Sequence, residues 1–154
     1  MRVVITHGHI FKNAGSTFDW SLARNFGDGF LDHRDDKTMR ERRADHLLEL
    51  VRERPELIAV SSHHMCRPLP EVDDIHFEPV YFLRHPVERI GSVYAFERQQ
   101  DADTPGAKAA KTMNFRKYVE WRLQLDVPRT IRDYQTCNLA GKHENEPLQE
   151  VNYR

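Results

Sequence analysis

The residues best suited to bind an anion follow the first apolar segment of the chain. Residues 3–5 form a β-branched run, and the turn after it reads His9-Ile10-Phe11-Lys12-Asn13-Ala14-Gly15-Ser16-Thr17. A strand that runs through such a turn into a helix N-terminus presents backbone N–H groups to an anion. Ser16 and Thr17 add hydroxyl donors and Lys12 adds a positive charge. The pattern predicts a phosphate-binding loop made by all the residues from 12 to 17.

The spacing in this loop differs from that of a Walker A loop. In a Walker A loop the lysine comes directly before the Ser or Thr, after the second glycine. Here Lys12 precedes Gly15, and Ser16 follows Gly15 directly. An anion site is therefore predicted, and a phosphotransferase acting on ATP is the weaker alternative.

A second phosphate site is predicted where another apolar run ends. Arg84 follows the run at 80–83, and Ser92 lies about two turns into a helix that Pro86 opens. The planar guanidinium of arginine matches the oxygens of a phosphate group. We predict that Arg84 and Ser92 hold a phosphate, with a structural ion pair between Arg84 and Glu88 as the alternative.

The pattern of apolar runs predicts how these residues are positioned. Strands are expected at 2–6, 57–61 and 80–83, and helices at 17–26, 38–53, 86–99 and 115–125, with a loop at 101–111. Thr38 and Glu41 have the spacing of a capping box at the start of the second helix. Alternating strands and helices predict an α/β fold with a parallel sheet flanked by helices. Ligand sites in such folds lie at the carboxyl ends of the strands.

Composition narrows the class of protein further. The 154 residues suit one domain, 1–154, and the net charge of −1 gives no general attraction to nucleic acid. No apolar run approaches the roughly 20 residues of a membrane helix. Two cysteines form no disulfide framework, which favours a reducing compartment, and we expect a cytoplasmic protein. His7-x-His9 and His63-His64-x-Cys66 lack the paired spacing of a structural zinc site, so no metal is expected.

Four segments together resemble the sulfotransferases, in particular the carbohydrate enzymes related to the heparan sulfate sulfotransferases and their bacterial relatives. Residues 9–17 are similar to the loop that holds the 5′-phosphosulfate, which often reads His-Ile-Pro-Lys-Thr-Ala-Gly-Thr-Thr. Residues 83–94 resemble the 3′-phosphate motif Leu-Arg-(Asp/His)-Pro-Val-Glu-Arg-x-x-Ser-x-Tyr. Residues 62–64 look like the segment that supplies a catalytic histidine, and residues 134–141 look like a later Gln-Thr-containing segment. Phe11, Ser62 and Cys137 depart from the usual Pro, Gly and Arg.

The resemblance implies a three-layer, P-loop-like sulfotransferase fold, shortened at its C-terminal end. It implies 3′-phosphoadenosine 5′-phosphosulfate as the donor and a hydroxyl of a carbohydrate or another alcohol as the acceptor. Lys12 would neutralise charge on the leaving phosphate, and His63, or else its neighbour His64, would take the proton of the acceptor. No metal is required by this scheme. The alternative is a catalytically silent nucleotide-binding or interaction module on the same fold.

Overall fold

The computed structural model describes residues 1–141, and backbone contacts divide the chain into two compact units. The first unit, Met1–Leu83, contains all the strands found in the described residues. Its elements are β1 (Arg2–Gly8), α1 (Gly15–Phe26), a 3₁₀ turn (Gly27–Gly29), β2 (Phe30–Asp32), α2 (Asp36–Glu53), β3 (Ala59–Ser62) and β4 (Ile75–Val80). The second unit begins at Arg84 and contains α3 (Pro86–Gln99), α4 (Pro105–Thr112), α5 (Phe115–Arg122) and α6 (Tyr134–Leu139). The single domain expected from length stays a prediction.

The sheet is parallel throughout, in the order β2-β3-β1-β4. In its register Ile5 of the central strand β1 lies opposite Ala59 on β3, and Arg2 lies opposite Ile75 on β4. The prediction of an α/β fold with a parallel sheet flanked by helices is therefore confirmed. The parallel arrangement brings the carboxyl ends of all four strands to one edge.

The two faces of the sheet differ in chemistry. One face packs an apolar core against α2, and its fully or nearly fully buried members include Val4, Val60, Phe77, Met39, Leu47 and Val51. His7 and Ser61 lie opposite each other in register and, by the two-residue period of a strand, turn to the other face. There they meet Asp19 of α1. The face that α1 covers is thus polar at the carboxyl ends of the central strands.

The last strand lies earlier in the chain than predicted. The continuous apolar run at 80–83 is not the strand, which spans Ile75–Val80. Ile75 and Phe77 are buried while His76 and Glu78 are exposed, the alternation of a strand with one solvated face. β4 is an edge strand, so it needs only one apolar face. Arg84 consequently follows the end of a strand by four residues instead of directly.

Two other local predictions are corrected by hydrogen bonds that cap helices. Asp35 and not Thr38 caps α2, because its Oδ1 accepts from the backbone N–H of Thr38 at 3.1 Å. The predicted loop at 101–111 is largely helix α4, which opens with the Thr104 hydroxyl accepting from the N–H of Ala107. Pro105 stands at the first turn of α4, where its missing N–H costs nothing. The short strand β2 was not predicted.

A buried ionic network connects the helices of the second unit. The Glu97 carboxylate on α3 accepts from the Tyr118 hydroxyl at 2.6 Å and pairs with the guanidinium of Arg122 on α5. Arg122 also donates to the Thr130 hydroxyl at 3.1 Å. All three side chains of the network are at most 6 % exposed, so their charges are satisfied within the protein. Among the helices of residues 1–141, none has the length and apolar composition to span a bilayer.

Candidate active site

The turn between β1 and α1 has the backbone geometry of an anion-binding loop. Lys12 and Ala14 adopt left-handed φ angles of 64° and 65°, and Gly15 begins α1 directly afterwards. A left-handed residue beside ordinary backbone orients neighbouring N–H groups into a concave nest that accepts anions. The turn is closed by the N–H of Thr17, which donates to the carbonyl of Ala14 at 3.1 Å. Within residues 1–141 no side chain caps the N-terminus of α1, the end of a helix that favours an anion.

The predicted loop residues have different surroundings. Ala14, Ser16 and Thr17 are exposed at the start of α1, whereas Asn13 is 3 % exposed. The Asn13 amide donates to the carbonyl of Phe82 at 2.8 Å and ties the turn to the segment after β4. Asn13 therefore has a structural role in holding this loop in place.

Beneath the loop, the Asp19 carboxylate connects three elements. It accepts from His7 Nδ1 at 2.8 Å through Oδ1 and from His9 Nδ1 at 2.7 Å through Oδ2. Ser61 on β3 adds its hydroxyl, which lies 3.0 Å from His7 Nδ1. Burial would raise the pKa of Asp19, but the hydrogen bonds from His7, His9 and Ser61 lower it well below the usual range of a carboxyl. Asp19 is thus an ionised carboxylate that accepts a hydrogen bond from each of the two rings.

The ring of His9 leaves no space for a side chain at position 15, where the sequence has glycine. A Cβ at position 15 would lie 2.5 Å from His9 Nε2 and 2.7 Å from His9 Cγ, well inside van der Waals contact. The sequence predicted this glycine as part of the phosphate-binding loop, and the packing of α1 on His9 gives it a structural role as well. The anion loop and the buried histidines are therefore mechanically coupled.

His63 follows β3 and lies beside the same ring. Its Nδ1 donates to the carbonyl of His9 at 2.8 Å, and the two ring centroids are 4.2 Å apart. With the proton fixed on Nδ1, Nε2 carries the lone pair that a general base needs. Burial, and then the neighbouring His9, lower the pKa of His63, which favours the neutral ring at pH 7. His64 is bound differently, since its ring lies 3.9 Å from the Asp36 carboxylate.

A further histidine pair lies at the carboxyl end of β2. His33 Nε2 and His46 Nε2 are 2.9 Å apart, and His33 is 7 % exposed. Burial, with the charge of His46 second, lowers the pKa of His33. Together with His9 and His63, this pair makes the carboxyl edge of the sheet rich in imidazole.

Arg84 and Ser92 both lie in the second unit, at the start of α3 and two turns into it. Arg84 is exposed, and its Nε lies 3.6 Å from the Glu88 carboxylate, as the structural alternative anticipated. The backbone N–H of Arg84 donates to the side chain of Gln135 at 2.9 Å, and the Gln135 amide returns a bond to the Arg84 carbonyl at 3.0 Å. Two of the segments that carry the resemblance, 83–94 and 134–141, therefore meet. Ser92 is half-buried.

The turn between β1 and α1, here called the Lys12 turn, and His63 lie at the carboxyl end of the sheet, as expected from adjacent parallel strands. That Arg84 joins them there stays a prediction. Asp19, the partner of His7 and His9, was missed, although a signal was present. Gly15, Asp19 and Leu22 are spaced by four and three residues and form the buried face of α1. An acidic side chain on such a face needs a buried partner, and His7-x-His9 on the preceding strand and turn is a candidate.

Comparison with known proteins identifies a relative without assigning a function. An uncharacterized protein of Archaeoglobus fulgidus is 33% identical in an alignment that covers 97% of this chain and 63% of that protein. The chain therefore spans less than two thirds of the relative's length. No family model matches the sequence, and no solved structure matches it.

Proposed function

We propose that this protein is a sulfotransferase on a three-layer, P-loop-like sulfotransferase fold. It moves a sulfuryl group from 3′-phosphoadenosine 5′-phosphosulfate to a hydroxyl of a carbohydrate or another alcohol. The observation that carries the proposal is the Lys12 turn. Its left-handed residues lie between the central strand and the N-terminus of α1, in the segment that resembles the 5′-phosphosulfate loop.

The chemistry of sulfuryl transfer is consistent with this turn. As in phosphoryl transfer, negative charge grows on the bridging oxygen of the leaving group, and the nucleophile must approach in line. Backbone N–H groups and the Lys12 ammonium at the loop stabilise that charge where it develops. The residues from Asn13 to Thr17 form the rest of the loop, and no metal ion enters the reaction.

His63 removes the proton of the acceptor hydroxyl. Its Nδ1–H bond to the His9 carbonyl leaves Nε2 as the basic atom, and its lowered pKa supports a neutral ring at physiological pH. His64 is the alternative base on the same segment.

Donor recognition is tested by calorimetry with 3′-phosphoadenosine 5′-phosphate and adenosine 5′-phosphate. The resemblance assigns the 3′-phosphate to Arg84 and Ser92. Arg84→Ala should weaken binding of the 3′-phosphorylated nucleotide by about 1.5–3 kcal/mol, as for a hydrogen bond to a charged group, and barely affect adenosine 5′-phosphate. Arg116→Ala, at an exposed position of α5, is the matched control. An equal loss for both nucleotides would show that Arg84 is structural.

Turnover is tested by transfer of labelled sulfate from the donor to a panel of sugars and small alcohols. General-base catalysis contributes about 10²- to 10⁴-fold, so His63→Ala should reduce turnover at least 100-fold with donor affinity unchanged. Exposed His76 provides the control substitution His76→Ala. Wild-type turnover in His63→Ala would show that His63 is not the base, and His64 would become the candidate. Donor binding without transfer to any acceptor or to water would favour the silent module.

A further inference from the structure

The side chains of His7, His9 and Asp19 form a compact set of metal-ligand atoms, here called the His7–His9–Asp19 cluster. Within residues 1–141 it is the only group of three or more His, Cys, Asp or Glu side chains with ligand atoms all within 4.8 Å of one another. The three residues are 1, 7 and 8 % exposed. Nothing in the proposed sulfuryl transfer uses these atoms as ligands.

We propose that the His7–His9–Asp19 cluster binds one divalent transition metal ion, with Zn²⁺ as the preferred ion. Two imidazoles and a carboxylate are a donor set that zinc and its first-row neighbours accept. Ser61 Oγ, 3.0 Å from His7 Nδ1, brings a further oxygen to the cluster. This inference goes beyond the proposed function and does not depend on it.

The distances in the cluster define the rearrangement that metal binding requires. Zinc bonds nitrogen and oxygen at about 2.0–2.2 Å, so neighbouring ligand atoms of a tetrahedral site are about 3.3–3.6 Å apart. The two N···O distances at Asp19 are 2.7 and 2.8 Å. The ligand atoms must therefore separate by about 0.5–0.9 Å to admit the ion. The hydrogen bonds to Asp19 already bring the three side chains together.

Metal binding through Nδ1 requires the proton of each ring to move to Nε2. For His7 this change breaks no hydrogen bond, because its Nε2 has no partner in the described part of the chain. The ring packs edge-to-face against Phe18 and Phe82, with centroids 4.9 and 5.9 Å away. Because the cluster is buried, the ion would have a structural role and would stabilise the start of the Lys12 turn.

The metal alone is the probe for the test. The full chain is treated with chelator, dialysed, and titrated with Zn²⁺ by calorimetry and with Co²⁺ by visible absorption. We expect one equivalent to bind, with a rise in the thermal midpoint. His9→Ala should weaken binding about 100-fold or more, since loss of an outer-sphere partner alone costs 10- to 100-fold. His76→Ala, which removes an exposed histidine on β4, should bind as the unmodified chain does.

Histidine-ring NMR of the unmodified chain keeps the test decisive if His9→Ala does not fold. Saturating Zn²⁺ should shift the ring nitrogen signals of His7 and His9, the two rings whose Nδ1 atoms contact Asp19. Shifts confined to exposed histidines, binding of several equivalents only at millimolar Zn²⁺, or unchanged affinity in folded His9→Ala would each overturn the proposal.

Discussion

The contact between Gly15 and His9 predicts that Gly15→Ala destabilises the protein, whereas helix propensity alone would predict that it stabilises it. In Gly15→Ala the new Cβ would lie 2.5 Å from His9 Nε2, so the ring must move by about 1 Å to restore an ordinary contact of about 3.5–4.0 Å between carbons. The ring has little freedom, because Asp19 holds its Nδ1 at 2.7 Å and His63 stacks against it. Overpacking costs about 1–3 kcal/mol, and a weakened hydrogen bond to a charged group costs about 1.5–3 kcal/mol. We expect Gly15→Ala to lower the free energy of unfolding by about 2–4 kcal/mol.

Gly91 offers the same substitution without the clash. A Cβ there meets no atom of residues 1–141 within 4 Å, and the residue lies inside α3. Because glycine in a helix is less favourable than alanine by about 0.5–1 kcal/mol, Gly91→Ala should stabilise the protein by that amount. The two variants should therefore move in opposite directions.

Urea unfolding at pH 7, followed by far-ultraviolet circular dichroism, measures both variants against the unmodified chain. The slope of free energy with urea should be unchanged, so the midpoints report stability directly. If Gly15→Ala were as stable as the unmodified chain, or more stable, the ring of His9 would not be fixed by Asp19. The coupling between the loop and the buried histidines would then be refuted.

Three further substitutions test other parts of the fold. Glu97→Gln leaves the Arg122 guanidinium buried without its counter-charge and should lower the free energy of urea unfolding by about 3–5 kcal/mol. The control Glu120→Gln, in an exposed ion pair, should lower it by less than about 1 kcal/mol. Equal losses in the two variants would contradict the buried network. Burial and His46 lower the pKa of His33 below its ordinary 6.5, so the unfolded chain binds more protons as the pH falls below that value. Stability should fall as the pH drops below about 6.5, less steeply in His33→Gln, and an unchanged slope would exclude His33 as a source. Asp35→Ala removes the cap of α2 and should cost about 1 kcal/mol in the thermal or urea midpoint, with no loss meaning that the cap is not needed.

Local signals in the sequence predicted the framework of the first unit. The β-branched run at 3–5 predicted β1, and the end of α1 near Gly27 is confirmed, with φ of 52° at this glycine. Both features depend on the conformational preferences of the residues themselves, which a sequence shows directly. The position of the Lys12 turn between them followed for the same reason.

Features that depend on tertiary contact were harder to predict. β4 was placed too late, because a run of consecutive apolar residues suggests a fully buried strand and β4 is solvated on one face. Helix α4 was taken for a loop, since its small residues gain their stability by packing on α3. Asp19 escaped notice because its partners are set by how α1 lies on the sheet. In the candidate site the individual residues were named, while the buried hydrogen bonds that hold them were not.

The central place of β1 in the sheet determines when the protein can assemble. β1 precedes both of its neighbours in the sheet, β3 and β4, whose pairing begins at Ala59 and Ile75. Pairs so distant in sequence close large loops and form slowly. During synthesis the two edges of β1 therefore stay unpaired until β3 and β4 have been made. The anion loop attached to its end acquires its final shape only when this late closure is complete.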